Sequence, residues 1–574
     1  MIRNAILPVL AALGTLGMPH AIAASARYTF DVRPGEPARV LVTLELTGLD
    51  RVRQSLRLTM PQGFAFARLP APILDEPPVR TDGGARQNAT AVQPYEWSLP
   101  IGDSDSLRIE YAVPLTHRSA PEVRGHDEYE YPYVDVDHGL LVTAVLVVEP
   151  QDVALDEIQV ELKLPEKWAA ITPWERVREN LYRVDRRESL LNDLIAIGDW
   201  RSEELRVGQF RCVIAVAPGQ DALRRSVAQP IRRIVEAELA LFGAEPRGEY
   251  LFLFGKPSNR LGSMAGSPKT CSMTLMVSAD LAERGAMQLG HLIAHEFYHT
   301  WGGRPVELEG ELRWAGEGVT DYYGYLVPAQ LGLITWTEFG EALSKKMRAC
   351  AGSPLRGASS LADAGGEAFF REHDAYNLIY DGGAVVAAWL DRRLRRLPGE
   401  KSLDGLMRSF MNQPRWRAGS QPVRADFLSS VEEYAGAEVR GELATLVAKP
   451  FAVDPVALFA SVEVRVEKQR GPMPLDARAN FNDLRVTAMD PEGLAYRIGV
   501  REGDEILDVN GKAVKSAAEI RGALREFDGN IVRFKVRRGD QALTLEAPVP
   551  VTDSFNVDIS AWESEAPASK PAGG

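Results

Sequence analysis

Residues 287–301 read M-Q-L-G-H-L-I-A-H-E-F-Y-H-T-W and hold the pattern H-E-x-x-H as His295, Glu296 and His299. Side chains four apart on a helix share one face about 6 Å apart along the axis, so the two imidazoles can converge on one metal ion. Such a pair suits tetrahedral zinc, with Zn–N bonds of about 2.0–2.1 Å. Glu296 lies about 100° around the helix, where its carboxylate takes a proton from a water activated at the metal instead of binding the metal. His291 stands one turn earlier, but Leu292 follows it where the acid of the pattern would be. It reads as a packing residue or as a support for a ligand.

A catalytic zinc takes a third protein ligand and keeps its fourth position open. Downstream of His299 the one remaining histidine is His373, and no H-x-x-G-x-x-H run follows, so the third ligand falls to a carboxylate. Gly302, Gly303 and Pro305 predict the end of the first helix; an acidic loop with Glu307, Glu309 and Glu311 follows. W-A-G-E-G-V-T-D-Y-Y, residues 314–323, then predicts a second helix on which Glu317 and Asp321 share a face at i and i+4. Glu317 is assigned as the third ligand of one zinc ion. Asp321 is assigned to accept the far N–H of a ligand histidine, which fixes its tautomer and raises its basicity.

The order H-E-F-Y-H-T-W (295–301), the acidic loop, then E-G-V-T-D-Y-Y (317–323) resembles the glycyl aminopeptidase family of gluzincin zinc metallopeptidases, which is related to aminopeptidase N. Y-D-G-G at 380–383 is similar to that family's Y-x-x-G, which implies that the Tyr380 hydroxyl stabilises the oxyanion of hydrolysis; Tyr376, one turn earlier, is placed to assist. The resemblance rests on motifs between Tyr250 and Leu394 and on domain order elsewhere. It implies a thermolysin-like α+β zinc peptidase domain at 218–450 with a mostly helical C-terminal lobe. It also implies that the glycine-rich stretch L-G-S-M-A-G-S, 261–267, binds substrate through Gly262, Ser263, Met264, Ala265 and Gly266. Ala265 stands where the family carries the glutamate that holds the substrate's free amino group. An aminopeptidase follows from the resemblance. An endopeptidase with the same chemistry, or a peptide-binding, chaperone-like scaffold with a vestigial metal site, remains open beside it.

The 574 residues, 45% apolar and 25% charged, are enough for several cores, and the expected architecture is multidomain. Residues 1–23 read as a signal peptide: Arg3, an apolar stretch from Ile6 to Met18, and the small-x-small site Ala21-Ile22-Ala23. The protein is therefore expected to be exported, periplasmic or secreted, with no membrane span in the mature chain. Period-two alternation such as Val40, Val42, Leu44 and Leu46 predicts an antiparallel, β-sandwich-like domain at 24–217, with Leu140–Val148 as a strand buried on both faces. Asp135, Asp137 and His138 read as a solvated strand edge, with a second metal site as the alternative. The run G-V-R-E-G-D-E-I-L-D-V-N-G, 499–511, looks like a PDZ domain, an α/β domain covering 461–551, whose groove takes an extended peptide as an added strand. Residues 556–574, rich in Ala, Pro, Gly and Ser toward the end, read as a disordered tail. The net charge is −13 and no basic stripe stands out, which argues against a nucleic-acid partner and leaves peptide or protein substrates. Cys212, Cys271 and Cys350 are an odd, scattered set, either one disulfide plus a thiol or three buried thiols. Oligomeric state is not legible.

Overall fold

The computed structural model describes residues 24–565 apart from 51–53, 62, 65–66, 69–73, 83–85, 116–131, 152, 244–248, 256–263, 278–285, 303–305, 418–419, 473–478, 483, 490–493, 526, 528 and 550. The expected signal peptide at 1–23, Gly262 and Ser263 lie outside the described residues.

In the N-terminal domain the alternation forms strands as expected, and Ala24–Arg33 buries every second residue. It pairs antiparallel with Arg39–Thr47 but parallel with Leu155–Lys163, so the eight-stranded sheet is mixed and not wholly antiparallel. A period of two says which face is buried and nothing about strand direction. The buried face, with Tyr28, Phe30, Val40 and Val42, shares a core with Leu56, Leu58, Trp97 and Leu99 of a four-stranded sheet. Leu140–Val148 is buried throughout but is not one strand: His138–Val142 gives way to a 3-10 turn at Thr143–Val145, where the Thr143 N–H is held by the Asp193 carbonyl at 3.0 Å.

The boundary expected at 217 lies earlier. Strands Arg201–Val207 and Phe210–Val216 belong to the catalytic sheet, which continues through Glu249–Gly255 and Ser272–Val277 to Met264–Pro268 at its edge. Phe210–Val216, Glu249–Gly255 and Ser272–Val277 run parallel, while the edge strand runs antiparallel to its neighbour, with Gly266 opposite Leu275. The first of these strands alternates and the second is buried along nearly its whole length, and neither pattern assigns a strand to a sheet.

Against this sheet lies the helix Ala286–Gly302, called here the motif helix. Its back is fully buried: Phe297 meets Phe210, Tyr250 and Phe252 with ring centroids 5.1–6.0 Å apart, and Tyr298 meets Phe242 at 5.0 Å and Tyr323 at 5.2 Å. Aromatic burial on this scale leaves the helix one face free for polar work. Helices Thr320–Gln330, Trp336–Gly352 and His373–Arg395 pack beside it, and Leu403–Met411, Arg424–Ala435 and Ala437–Ala448 complete a mostly helical lobe. All three cysteines are buried thiols.

The PDZ-like domain has its own core around Val486, Ile506, Val509, Ile520 and Phe534. It is inserted between the two strands of an antiparallel ribbon, Val466–Pro472 and Val551–Val557, whose residues Val466, Phe555 and Val557 belong to the catalytic core. The tail expected from 556 is therefore ordered as far as 565. After the ribbon, Ser560–Glu563 is helical, and Trp562 is buried with its indole N–H on the Tyr322 hydroxyl at 2.8 Å. Glu565 takes two bonds of 2.7 Å from Arg392. A polar composition hides three apolar anchors, Phe555, Val557 and Trp562, spaced so that each lands on a surface made much earlier in the chain.

Candidate active site

Each turn of the motif helix brings a histidine to the same face: His291, His295 and His299 follow one another with ring centroids 5.6 and 5.1 Å apart. The next element supplies the acid. Glu317 Oε2 lies 3.7 Å from His295 Nε2 and 3.6 Å from His299 Nε2, and this buried oxygen has no hydrogen-bond partner among the described residues. Bonds of about 2.0–2.2 Å to a common centre place tetrahedral ligands a little over 3 Å apart, so this donor set fits a zinc ion with slight contraction. An orphaned buried carboxylate oxygen aimed between two imidazoles is what a cation site leaves when the cation is subtracted.

The turn that presents Glu317 departs from the sequence expectation. Trp314–Val319 forms a π-helix and becomes α-helical only at Thr320–Gln330. Single π-turns of this kind recur at functional sites. Here the turn is packed closely: a Cβ added at Gly318 would overlap the Cα of Gly383, and one added at Gly383 would lie 2.6 Å from the Trp314 carbonyl. The Glu317 turn and the helix His373–Arg395 therefore touch backbone to backbone. Tyr380 lies within that helix, and its ring stacks on His295 with centroids 5.9 Å apart and planes 17° apart. Tyr376 is 4.6 Å from Tyr380, centroid to centroid.

Glu296 is buried at 5% exposure and points toward the edge strand. A Cβ at Gly266 would run into its carboxylate, so strand and acid make van der Waals contact that only glycine permits. Of the five residues expected to bind substrate, Met264, Ala265 and Gly266 are placed on this strand.

Asp321 is buried, and its nearest histidine is His291, not a ligand: Oδ1 is 2.7 Å from His291 Nε2 and 3.6 Å from His295 Nδ1. The support role read for His291 thus has a geometry. Two groups of ligand-bearing side chains stand close enough to share an ion among the described residues, His295–His299–Glu317 and His291–His295–Asp321. In the second, the Lys346 ammonium already lies 2.5 Å from Asp321. The alternative read for Asp135, Asp137 and His138 is not among them; His138 pairs with Asp137 at 2.8 Å at the surface.

Electrostatics agree with a cation between the ligands. Burial works to lower the pKa of His295, but Asp321, Glu317 and the charge of Glu296 outweigh it and raise the pKa to about 10. Burial works to raise that of Glu317, yet the charge on His299, the interactions with His295 and the Tyr380 hydroxyl bring it down to about 2. The pocket stabilises positive charge between two imidazoles and one carboxylate.

A half-sheet, half-helix catalytic fold carrying H-E-x-x-H on one helix and a glutamate on the next defines the class, a gluzincin zinc metallopeptidase. Residues 30–199 match the family model of the M61 peptidase N-terminal domain, 288–386 that of the M61 glycyl aminopeptidase, and 485–538 that of a PDZ domain. Over the first two of these stretches the chain is similar to the M61 glycyl aminopeptidase family. A Clostridium perfringens protein whose name proposes a zinc metalloprotease is 29% identical over 84 residues, 14% of this chain and 25% of that protein. The chain thus matches about a quarter of that curated relative's length. An aminopeptidase N family protein from Idiomarina loihiensis shares the fold over 94% of this chain and 99% of its own, with a TM-score of 0.67 at 17% identity.

Proposed function

We propose that the protein hydrolyses peptide bonds with one zinc ion held by His295, His299 and Glu317. The observation that carries this reading is the approach of Glu317 Oε2 to within 3.7 Å of both His295 Nε2 and His299 Nε2, on the helix whose Glu296 meets a sheet edge. When bound, zinc supplies a Lewis acid that makes water a nucleophile near neutral pH and polarises the scissile carbonyl. Among the described residues the outer edge of Met264–Pro268 is unpaired in the sheet, and it receives an extended peptide by main-chain hydrogen bonds. Glu296 takes the proton of the attacking water and returns it to the leaving amine. The Tyr380 hydroxyl donates a hydrogen bond to the oxygen on which negative charge develops. Asp321 with His291 holds the outer side of the His295 ring.

The preferred activity is that of an aminopeptidase, in keeping with the family. Ala265, at the position where the family's amino-binding glutamate falls, favours a second reading in which the same machinery makes internal cuts. Mass spectrometry of products from a mixed peptide library separates the two, with Glu296→Gln as control. Stepwise loss from N-termini supports the aminopeptidase, and internal fragments support the endopeptidase. Glu296→Gln is expected to retain zinc and to lose about 10²–10⁴-fold in kcat. Turnover unchanged in this variant would refute the role of Glu296.

A further inference from the structure

The four helices that build the site meet around one cation with no role in the chemistry above. Lys346, on Trp336–Gly352, has its Nζ 2.5 Å from Asp321 Oδ2 on the helix Thr320–Gln330 and 2.9 Å from Asp381 Oδ1 on the helix His373–Arg395. Its side chain is 14% exposed, that of Asp321 3% and that of Asp381 20%. Asp321 in turn reaches the motif helix through His291 at 2.7 Å. Asp381 directly follows Tyr380 in the chain.

We propose that Lys346 is a positioning residue of the metal centre: its ammonium fixes Asp321, and through Asp321 the His291–His295 face, and joins it to the helix that carries Tyr380. This rests on the metallopeptidase reading. Asp321 has two oxygens and two tasks. Oδ1 faces His291 and, at 3.6 Å, the otherwise unpartnered His295 Nδ1; Oδ2 faces Lys346. With Oδ2 anchored, the carboxylate can turn Oδ1 only about one axis, so the ring of His295 has a single acceptor position to settle on. The outer partners of metal-binding histidines set ring orientation and basicity. Without the ammonium, Asp321 and Asp381 would be two carboxylates sharing one dry gap, and Asp321 would swing away from its neighbour. His291 is clamped from its other face by Tyr325, stacked at 3.9 Å, so the displacement would fall on His295.

The test is zinc affinity, measured by chelator competition on the full-length protein, together with kcat and KM at saturating zinc. Lys346→Met is expected to weaken zinc binding about 10–100-fold and to lower kcat with KM little changed. The double variant Lys346→Met/Asp381→Asn restores the net charge of the cluster and so guards against failure to fold. It should show the same loss of zinc affinity. Affinity in the double variant within about threefold of the unaltered protein would overturn the proposal and leave Lys346 a structural ion pair, whatever happens to the melting temperature. Failure of the unaltered protein to bind zinc would instead remove the metallopeptidase reading beneath it.

Discussion

The Tyr380 hydroxyl keeps a proton to donate. Burial, then the charges of Glu317 and Tyr376, hold its pKa well above the usual phenol range, so the proton stays on at any working pH. Tyr380→Phe should lower kcat about 10²–10³-fold and change KM far less; a larger change in KM would assign Tyr380 to substrate binding. Behind the motif helix a second side chain makes a pH prediction. Glu238 is fully buried in Asp221–Phe242 and neither carboxylate oxygen meets a hydrogen-bond partner among the described residues. Burial raises its pKa well above the ordinary range, against a minor opposing effect of His295. A folded-state pKa above the unfolded one means that the folded protein binds the extra proton, so stability falls as pH rises above the ordinary carboxyl range. Glu238→Gln should melt at a higher temperature than the unaltered protein near neutral pH, and the gap should close toward pH 4 in a thermal series. The clustering of His295, His299 and Glu317 was legible because H-E-x-x-H and E-x-x-x-D use one helical period, a local signal. Lys346 and Glu238 were not, because nothing near them in the chain marks them; their meaning comes from helices that only folding brings together.

The helix expected at 314–323 was recovered as an element but not in its geometry. A run of A-G-E-G has low helix propensity, and the two glycines around Glu317 were the available sign that the turn would not be an ordinary one. The π-turn packs by backbone contact of Gly318 with Gly383, which periodicity cannot show. Gly318→Ala puts a methyl group where the partner backbone already stands, so the Glu317 turn must separate from the Tyr380 helix. We expect a loss of about 1–3 kcal/mol in urea unfolding and weaker zinc binding at the same time. Loss of stability with full zinc affinity would mean that the contact does not set the position of Glu317. The same limit explains the N-terminal boundary: a strand-rich reading of 24–217 does not tell which sheet the strands at 201–207 and 210–216 join.

At the scale of the molecule, the domain order was readable from motif to motif and the path of the chain between domains was not. Residues after the PDZ-like domain return to the catalytic domain, where Trp562 packs against Phe339 at 5.7 Å and under Arg392 at 5.4 Å. Trp562→Ala should therefore destabilise the catalytic domain by about 3–5 kcal/mol, seen as a lower urea midpoint for loss of peptidase activity, although the residue lies far from the metal in sequence. Replacing 473–550 by a short turn joins Pro472 to Val551, which are paired neighbours in the ribbon, and should leave that midpoint nearly unchanged. An equal effect of both changes would show that the PDZ-like domain itself supports the catalytic core. The returning ribbon also imposes an order on biosynthesis. A ribosome that has finished every residue proposed to bind the metal or move the proton has still to translate the whole inserted domain before Phe555, Val557 and Trp562 exist to close that side of the core.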